Sequence, residues 1–215
     1  MIFVKQILNI PIDSNCFVIF DKTVGNECII VDPGSENNNG LYLFLEKENL
    51  SPQYIILTHE HFDHCWGVND LRKYYPTIKV ICSSVCSDAI QAKKKNYSVF
   101  YEQPGFEVAP ADIFIDDLPY GLEWLSYHIT FFPAKGHSAS GIIIKIGSYL
   151  FTGDSLIKDI KTVTKLKTGS KEEQQKTIDL LNSMKGQGLT IYPGHGEIFM
   201  LDNYNLDLSL YKNND

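Results

Sequence analysis

Apolar positions recur along this chain in two rhythms, and their order predicts strands first, then strands mixed with helices. Short alternating or continuously apolar runs, bounded by turn residues, mark strands at Val4–Ile10, Cys16–Phe20 and Glu27–Val31, separated by Pro11-Ile12-Asp13-Ser14 and by Gly25-Asn26. Val31-Asp32-Pro33-Gly34 ends a strand in a turn, and Gly40–Asn49 has helical spacing with Leu41, Phe44 and Leu45 on one face. Tyr54–Leu57 predicts a strand, Val68–Tyr75 a helix stopped before Pro76, Lys79–Cys82 a strand, and Ser83–Lys94 a helix with serine caps at its start. Tyr97–Asp117, with Pro104, Gly105 and Pro110, predicts an irregular excursion. Strands follow at His128–Pro133 and Gly141–Ile146, the latter turning through Gly147-Ser148 into Tyr149–Phe151. Ser170–Lys185 predicts a helix: Ser170 caps it, Glu172 and Glu173 lie in the first turn, Ile178, Leu181 and Met184 share a face, and Gly186 follows. Leu189–Tyr192 is the last predicted strand. With no internal repeat and no linker, the pattern predicts one α+β domain over 1–215, with helices packed outside two sheets.

Composition keeps that picture and narrows the setting. The 215 residues are 44% hydrophobic and 21% charged, as in an ordinary soluble protein with a core that needs no staples. A net charge of −7 does not favour a phosphate backbone or an anionic membrane, so no nucleic-acid partner is expected. Lys93-Lys94-Lys95 reads as a solvated helix face. No stretch approaches the ~18 apolar residues of a membrane span, and Met1–Leu8 alternates as a strand rather than as a secretion signal. The five cysteines, Cys16, Cys28, Cys65, Cys82 and Cys86, show no C-x-x-C spacing and several sit in apolar runs, which fits a reducing cytoplasm. Oligomeric state is not legible.

The chemistry is concentrated at Thr58-His59-Glu60-His61-Phe62-Asp63-His64, which holds three of the chain's six histidines. Neutral imidazoles and carboxylates are the groups that hold divalent metals near neutral pH. On an extended segment, His59, His61 and Asp63 would share one side at the period of two, with His64 turning in where the chain bends. Cys65 adjoins the cluster; a packing role or a supporting contact is favoured over ligation. Three more strand-to-turn junctions carry a ligand type directly after glycine: Gly136-His137, Gly153-Asp154 and Gly194-His195. Glycine permits positive φ or a close backbone approach, so the next side chain can be aimed inward from a tight bend. Four such junctions predict a metal site along one edge of a sheet sandwich.

In these motifs the chain resembles the metallo-β-lactamase superfamily, and within it the one-domain glyoxalase II-like (hydroxyacylglutathione hydrolase-like) hydrolases. The resemblance rests on Asp32 in V-D-P-G, the T-H-x-H-x-D-H run at 58–64, His137, Asp154 in F-T-G-D and His195 in P-G-H-G, all in order. It implies a four-layer αβ/βα sandwich with two mixed sheets, outer helices and metals at one edge. Carried over by position, His59, His61 and His137 would bind one divalent ion, Asp63, His64 and His195 a second, and Asp154 would bridge both. Asp63 and Asp154 would be the catalytic carboxylates beside a metal-bridging hydroxide. The chemistry independently favours two ions close together, which bring the pKa of a shared water toward neutrality while one polarises the attacked oxygen. Imidazole with carboxylate suits zinc, iron or manganese, with zinc the default. Asp32 reads as an acceptor that orients a ligand imidazole, as a turn-forming residue, or as both.

The subfamily follows from departures. Zinc β-lactamases commonly place cysteine where Asp154 stands, and a nuclease would carry a basic exosite that is not visible. Only 19 residues follow Gly196, so the helical glutathione-binding domain of two-domain glyoxalase II enzymes is not expected. Their Lys and Tyr beyond the bridging Asp lack clear counterparts, and Lys158, Lys161 and Lys165 read as solvated loop charges or as contacts for an anionic tail. Ala134-Lys135-Gly136-His137-Ser138-Ala139 replaces the usual T-P-G-H-T-P, which places Lys135 near the pocket. The expectation is a hydrolase of a small thioester or ester. A lactonase, a phosphodiesterase, and a non-hydrolytic partner-binding or redox member are the alternatives.

Overall fold

The computed structural model describes residues 1–210, and the chain divides into two compact units between Ile115 and Asp116. The first holds six strands: Phe3–Leu8 (β1), Asn15–Phe20 (β2), Glu27–Val31 (β3), Ser51–Ile56 (β4), Lys79–Cys82 (β5) and Ile113–Phe114 (β6). They form one sheet in the order β1-β2-β3-β4-β5-β6. The first three pair antiparallel, and β3 through β6 pair parallel, so the sheet is mixed. The run Asn-Cys-Phe-Val-Ile-Phe of β2 is buried at all six positions, which explains why it reads as continuously apolar rather than alternating.

Five helices accompany this sheet: Asn39–Lys47 (α1), Phe62–Cys65 (α2), Val68–Tyr74 (α3), Ser84–Ile90 (α4) and Ser98–Tyr101 (α5). Asn38 starts α1 by accepting the Leu41 N–H on its side chain at 3.1 Å, and Ser83 does the same for Cys86 at 3.2 Å in α4. Leu41, Leu45, Val68, Leu71, Cys86 and Ile90 then join Val18, Ile30, Ile55 and Val80 in one apolar cluster. Each fully buried aliphatic side chain there contributes about 1.5–3 kcal/mol.

Two sequence expectations fail here for local reasons. The first strand stops at Leu8 rather than Ile10, because the Asn9 N–H turns to the Ser14 carbonyl at 2.9 Å. The helix at 84 stops at Ile90 rather than Lys94. The Ile90 carbonyl accepts instead from the Val108 N–H at 3.0 Å and from Asn96 Nδ2 at 3.2 Å. Lys93-Lys94-Lys95 therefore lies in turns, not on a helix face.

The second unit holds Tyr120–Trp124 (β7), Tyr127–Pro133 (β8), Ile142–Ile146 (β9), Tyr149–Gly153 (β10), Thr190–Pro193 (β11) and Phe199–Met200 (β12), in the order β12-β11-β10-β9-β8-β7. β7 to β10 form an antiparallel meander, β11 runs parallel to β10, and β12 returns antiparallel. The crossover from β10 to β11 carries the helix Lys171–Ser183 (α6). Ser170 Oγ accepts the Glu173 N–H at 3.2 Å, and Ile178, Leu181 and Met184 pack with Leu150, Leu189 and Ile191. The two mixed sheets with helices are the α+β class expected. All five thiols are free and buried, and no helix among the described residues is long and apolar enough to cross a membrane.

Candidate metal centre

In the first unit the candidate groups sit at the carboxyl ends of parallel strands, where α/β sheets place their ligands. Asp32 directly follows β3 and takes φ 52, and its N–H bonds the last residue of β4, Ile56, at 3.1 Å. Its carboxylate is buried and collects three donors. Oδ1 accepts the Thr58 N–H at 2.8 Å; Oδ2 accepts the Thr58 hydroxyl at 2.6 Å and lies 3.0 Å from His64 Nδ1.

These contacts set the tautomers of two imidazoles. A carboxylate only accepts, so His64 Nδ1 carries the proton and Nε2 keeps its lone pair. The Thr58 hydroxyl spends its hydrogen on Asp32. Its oxygen therefore accepts from His59 Nδ1 at 3.0 Å, which again leaves Nε2 the basic nitrogen. Asp32, His59 and His64 offer ligand atoms within 4.8 Å of one another. Asp32 is thus both the turn residue and the orienting acceptor that its position allowed.

His61, Asp63 and His64 are placed differently from the expected extended segment. β4 has ended at Ile56, His61 is the extended residue capping α2, and Asp63 and His64 lie within that helical turn. A helical turn, not a strand period, brings His64 Nε2 within 3.6 Å of Asp63 Oδ2. The imidazole rings still cluster: His59 lies 4.5 Å from His61 and 4.2 Å from His64, centroid to centroid. The turn is held tightly from outside. A Cβ on Gly34 would fall 1.6 Å from the Asp63 carbonyl oxygen, which leaves that position to glycine. Ser14 donates its hydroxyl to the same oxygen, and Asn9 Nδ2 reaches the Asp32 carbonyl at 3.1 Å.

Cys65 is fully buried beside these groups. Burial raises its pKa well above the ordinary value, and the carboxylates of Asp63, Asp32 and Glu60 push it further. Its thiol donates to the Glu60 carbonyl at 3.5 Å, so the packing and supporting role expected of it holds.

The second unit gathers the other three residues. Gly153 takes φ 49 and aims Asp154 from the end of β10, while His195 follows β11. Those strands are parallel neighbours, and the Gly194 N–H bonds the Gly153 carbonyl at 2.8 Å, so the two turns are stitched side by side. At this junction the positive φ belongs to Gly196 (φ 75), behind His195, rather than to the expected Gly194. Gly136 takes φ 140 ahead of His137. His137 Nδ1 donates to the Val163 carbonyl at 2.9 Å, which fixes Nε2 as its basic nitrogen. Asp154 Oδ2 then lies 3.6 Å from His137 Nε2 and 3.6 Å from His195 Nε2.

Helix α6 braces both turns: the Ser170 N–H bonds the Gly136 carbonyl at 2.8 Å, Thr177 Oγ1 the Lys135 carbonyl at 2.7 Å, and Gln174 Nε2 the Ser155 carbonyl at 2.8 Å. Lys135 itself is exposed and lines a groove with Glu173 and Lys176 of α6. Lys158 is tied to Glu197 at 2.8 Å. The sixth histidine, His128, pairs with Glu123 on the surface.

The donor set fits divalent metal. His59, His64 and His137 each present a basic Nε2, with carboxylates beside them, and that combination suits zinc, iron or manganese. Thr58, the Val163 carbonyl and Tyr97, whose ring meets His61 edge-on at 4.9 Å, have no role in the reading from sequence. Thr58 stood inside the motif and was findable from it. A backbone carbonyl 26 residues from its histidine leaves no such signal.

The sequence profile of the metallo-beta-lactamase superfamily matches residues 10–195. A hydroxyacylglutathione hydrolase of Buchnera aphidicola subsp. Baizongia pistaciae is 38% identical over 68 residues, which is 32% of this chain and 26% of that protein. Among solved structures, the BLEG-1 B3 metallo-beta-lactamase superimposes with a TM-score of 0.83 at 25% identity, covering 93% of this chain and 94% of that one. The di-iron-bound form of TTHA1623 gives 0.75 at 20% identity, covering 92% and 94%.

Proposed function

The chain belongs to the metallo-beta-lactamase superfamily, and from that premise we propose that it is a dinuclear metal-dependent hydrolase of a small thioester or ester. By the family resemblance, His59, His61 and His137 would hold one ion and Asp63, His64 and His195 the other, with Asp154 a ligand of both. The observation that carries it is Asp154 Oδ2, equidistant at 3.6 Å from the Nε2 atoms of His137 and His195. In this reading His137 would belong to one ion and His195 to the other, and a carboxylate oxygen equally near both supports Asp154 as a ligand common to the two.

Bound divalent ions, zinc by default, would supply a nucleophile from water near neutral pH and polarise the substrate carbonyl. The chain's own residues prepare for that chemistry. Asp32 and Thr58 hold His59 and His64 in the Nε2-basic tautomer, and the Val163 carbonyl holds His137 in the same form. Asp63 is partly exposed with one oxygen toward His64 Nε2, so it can take the proton that an attacking water gives up. The likeness to hydroxyacylglutathione hydrolase over part of the chain supports a thioester as the leading small-molecule substrate.

The test is elemental analysis of metal-loaded protein followed by a hydrolysis panel: S-lactoylglutathione, a simple thioester, a homoserine lactone, a phosphodiester and a β-lactam. About two ions per chain and fastest turnover on a thioester are expected. Less than one ion per chain overturns the dinuclear centre. Preference for the lactone, phosphodiester or lactam moves the substrate class, and inertness toward all five favours a non-hydrolytic member.

A further inference from the structure

The first unit also holds a cavity of about 220 Å3 whose lining includes Glu36, Phe62, Trp66, Tyr101, Glu102 and Phe106. Its four rings form two stacks. Phe62 lies parallel to Tyr101 at 4.8 Å (21°), and Trp66 to Phe106 at 5.1 Å (17°). The stacks stand nearly at right angles, with Trp66 inclined 78° to Tyr101 and 64° to Phe62. Phe62 opens α2 and Trp66 directly follows it, one helical turn apart, and Asp63 and His64 of the same turn belong to the candidate metal centre.

The facing wall is set in advance. Ser98 Oγ accepts the Phe106 N–H at 2.9 Å and donates to the Phe106 carbonyl at 3.1 Å, while Asn96 Nδ2 reaches that carbonyl at 3.0 Å. Gly105 takes φ +69, and a Cβ there would lie 2.8 Å from the Val99 nitrogen. The chain thus maintains a hollow bordered by these contacting rings, which its own side chains do not fill.

The electrostatics of that hollow have one sign. Ring faces carry the negative end of the aromatic quadrupole, two carboxylates stand in the lining, and the lining contains no Lys, Arg or His. Lys73, the ammonium that acts on Glu36, is held by Asp70 at 2.9 Å. Crossed aromatic rings with carboxylates suit a cation whose charge is spread over alkyl groups, because such a cation gives up little hydration on entering. We propose that this cavity binds a small quaternary ammonium ion of about the size of choline. The site is separate from the metal ligands and does not depend on the hydrolase reading.

Isothermal titration of the full-length protein with choline, and with its uncharged isostere 3,3-dimethyl-1-butanol at equal ionic strength, tests this. Saturable choline binding is expected, with the alcohol about tenfold weaker. Trp66→Leu and, separately, Tyr101→Leu should each abolish the choline signal. Glu36→Gln with Glu102→Gln should weaken choline several-fold and leave the alcohol unchanged. Tyr101 is 43% exposed on a short surface helix, so its variant stays interpretable should Trp66→Leu fail to fold. Absence of saturable choline binding, equal affinity for the alcohol, or choline binding unaltered in Tyr101→Leu each overturn the proposal. No turnover is read, so the result stands apart from that of the hydrolysis panel.

Discussion

Asp32 Oδ2 lies 3.0 Å from His64 Nδ1, and the same oxygen takes the Thr58 hydroxyl proton at 2.6 Å. One buried carboxylate thereby fixes His64 directly and His59 through Thr58. Asp32→Asn separates that role from the turn, because asparagine also accepts the positive φ found here. The amide supplies one oxygen and an NH2 in place of two acceptors, so it cannot take the Thr58 N–H, the Thr58 hydroxyl proton and the His64 proton together as the carboxylate does. We expect a folded protein whose metal affinity falls about 10- to 100-fold in competition with a chromogenic chelator. Unchanged affinity would reduce Asp32 to a turn residue.

Asp154→Ala removes the oxygen shared by His137 and His195. Neither imidazole is moved, since His137 is anchored on the Val163 carbonyl and the His195 turn on Gly153. The expected outcome is a native circular dichroism spectrum, a fall from about two ions to about one per chain, and loss of hydrolysis. Near-normal turnover would remove Asp154 from the bridging position.

The candidate residues and the order of the central strands were legible because both leave local marks: apolar runs, glycines at reversals, and a dense histidine motif. What stayed hidden depends on partners distant in sequence. The strand β7, Tyr-Gly-Leu-Glu-Trp, carries a glycine and no continuous apolar run, and it becomes a strand through its five paired residues on β8. The two-residue β12 exists only as a cap on β11. Period-two reasoning grouped His59, His61 and Asp63 on one side, but the chain leaves β4 at Ile56 and enters a helical turn at Phe62. The residues the motif singles out therefore stand in a local geometry other than the one the period of two predicts. The anchors of His59 and His137, a hydroxyl already spent on Asp32 and a bare carbonyl, carry no motif.

The buried thiols give the protein an alkaline limit. Burial raises Cys16, Cys28 and Cys86 above the ordinary 9.0, helped in Cys86 by a hydrogen bond with Cys82. The folded state keeps these protons while the unfolded chain releases them above about pH 9, so unfolding gains charge and stability falls as pH rises beyond that point. Below it the contribution is constant. Each thiol adds a slope of at most about 1.4 kcal/mol per pH unit. Urea unfolding at pH 8, 9 and 10 should show a midpoint that holds and then drops, and native protein at pH 8 should resist Ellman's reagent until denatured. Rapid modification of any of the three in native protein would contradict their burial.

Gly136 and Ser170 meet at one hydrogen bond, the Ser170 N–H to the Gly136 carbonyl at 2.8 Å, yet their substitutions should separate stability from metal binding. Ser170→Ala keeps that backbone bond and loses only the side-chain acceptor for the Glu173 N–H. It should cost about 1 kcal/mol and lower Tm by about 2–4 °C, with metal affinity intact. Gly136→Ala instead puts a Cβ 2.5 Å from the Gln174 Cα and 2.4 Å from its Oε1, at a φ of 140° that a side chain strains. Helix α6 and the His137 turn cannot both stay in place, so Tm and the affinity for the ion held by His137 should fall together. Paired thermal melts and chelator titrations of the two variants check this; a Gly136→Ala protein that lost stability but kept wild-type metal affinity would show that the turn does not position His137.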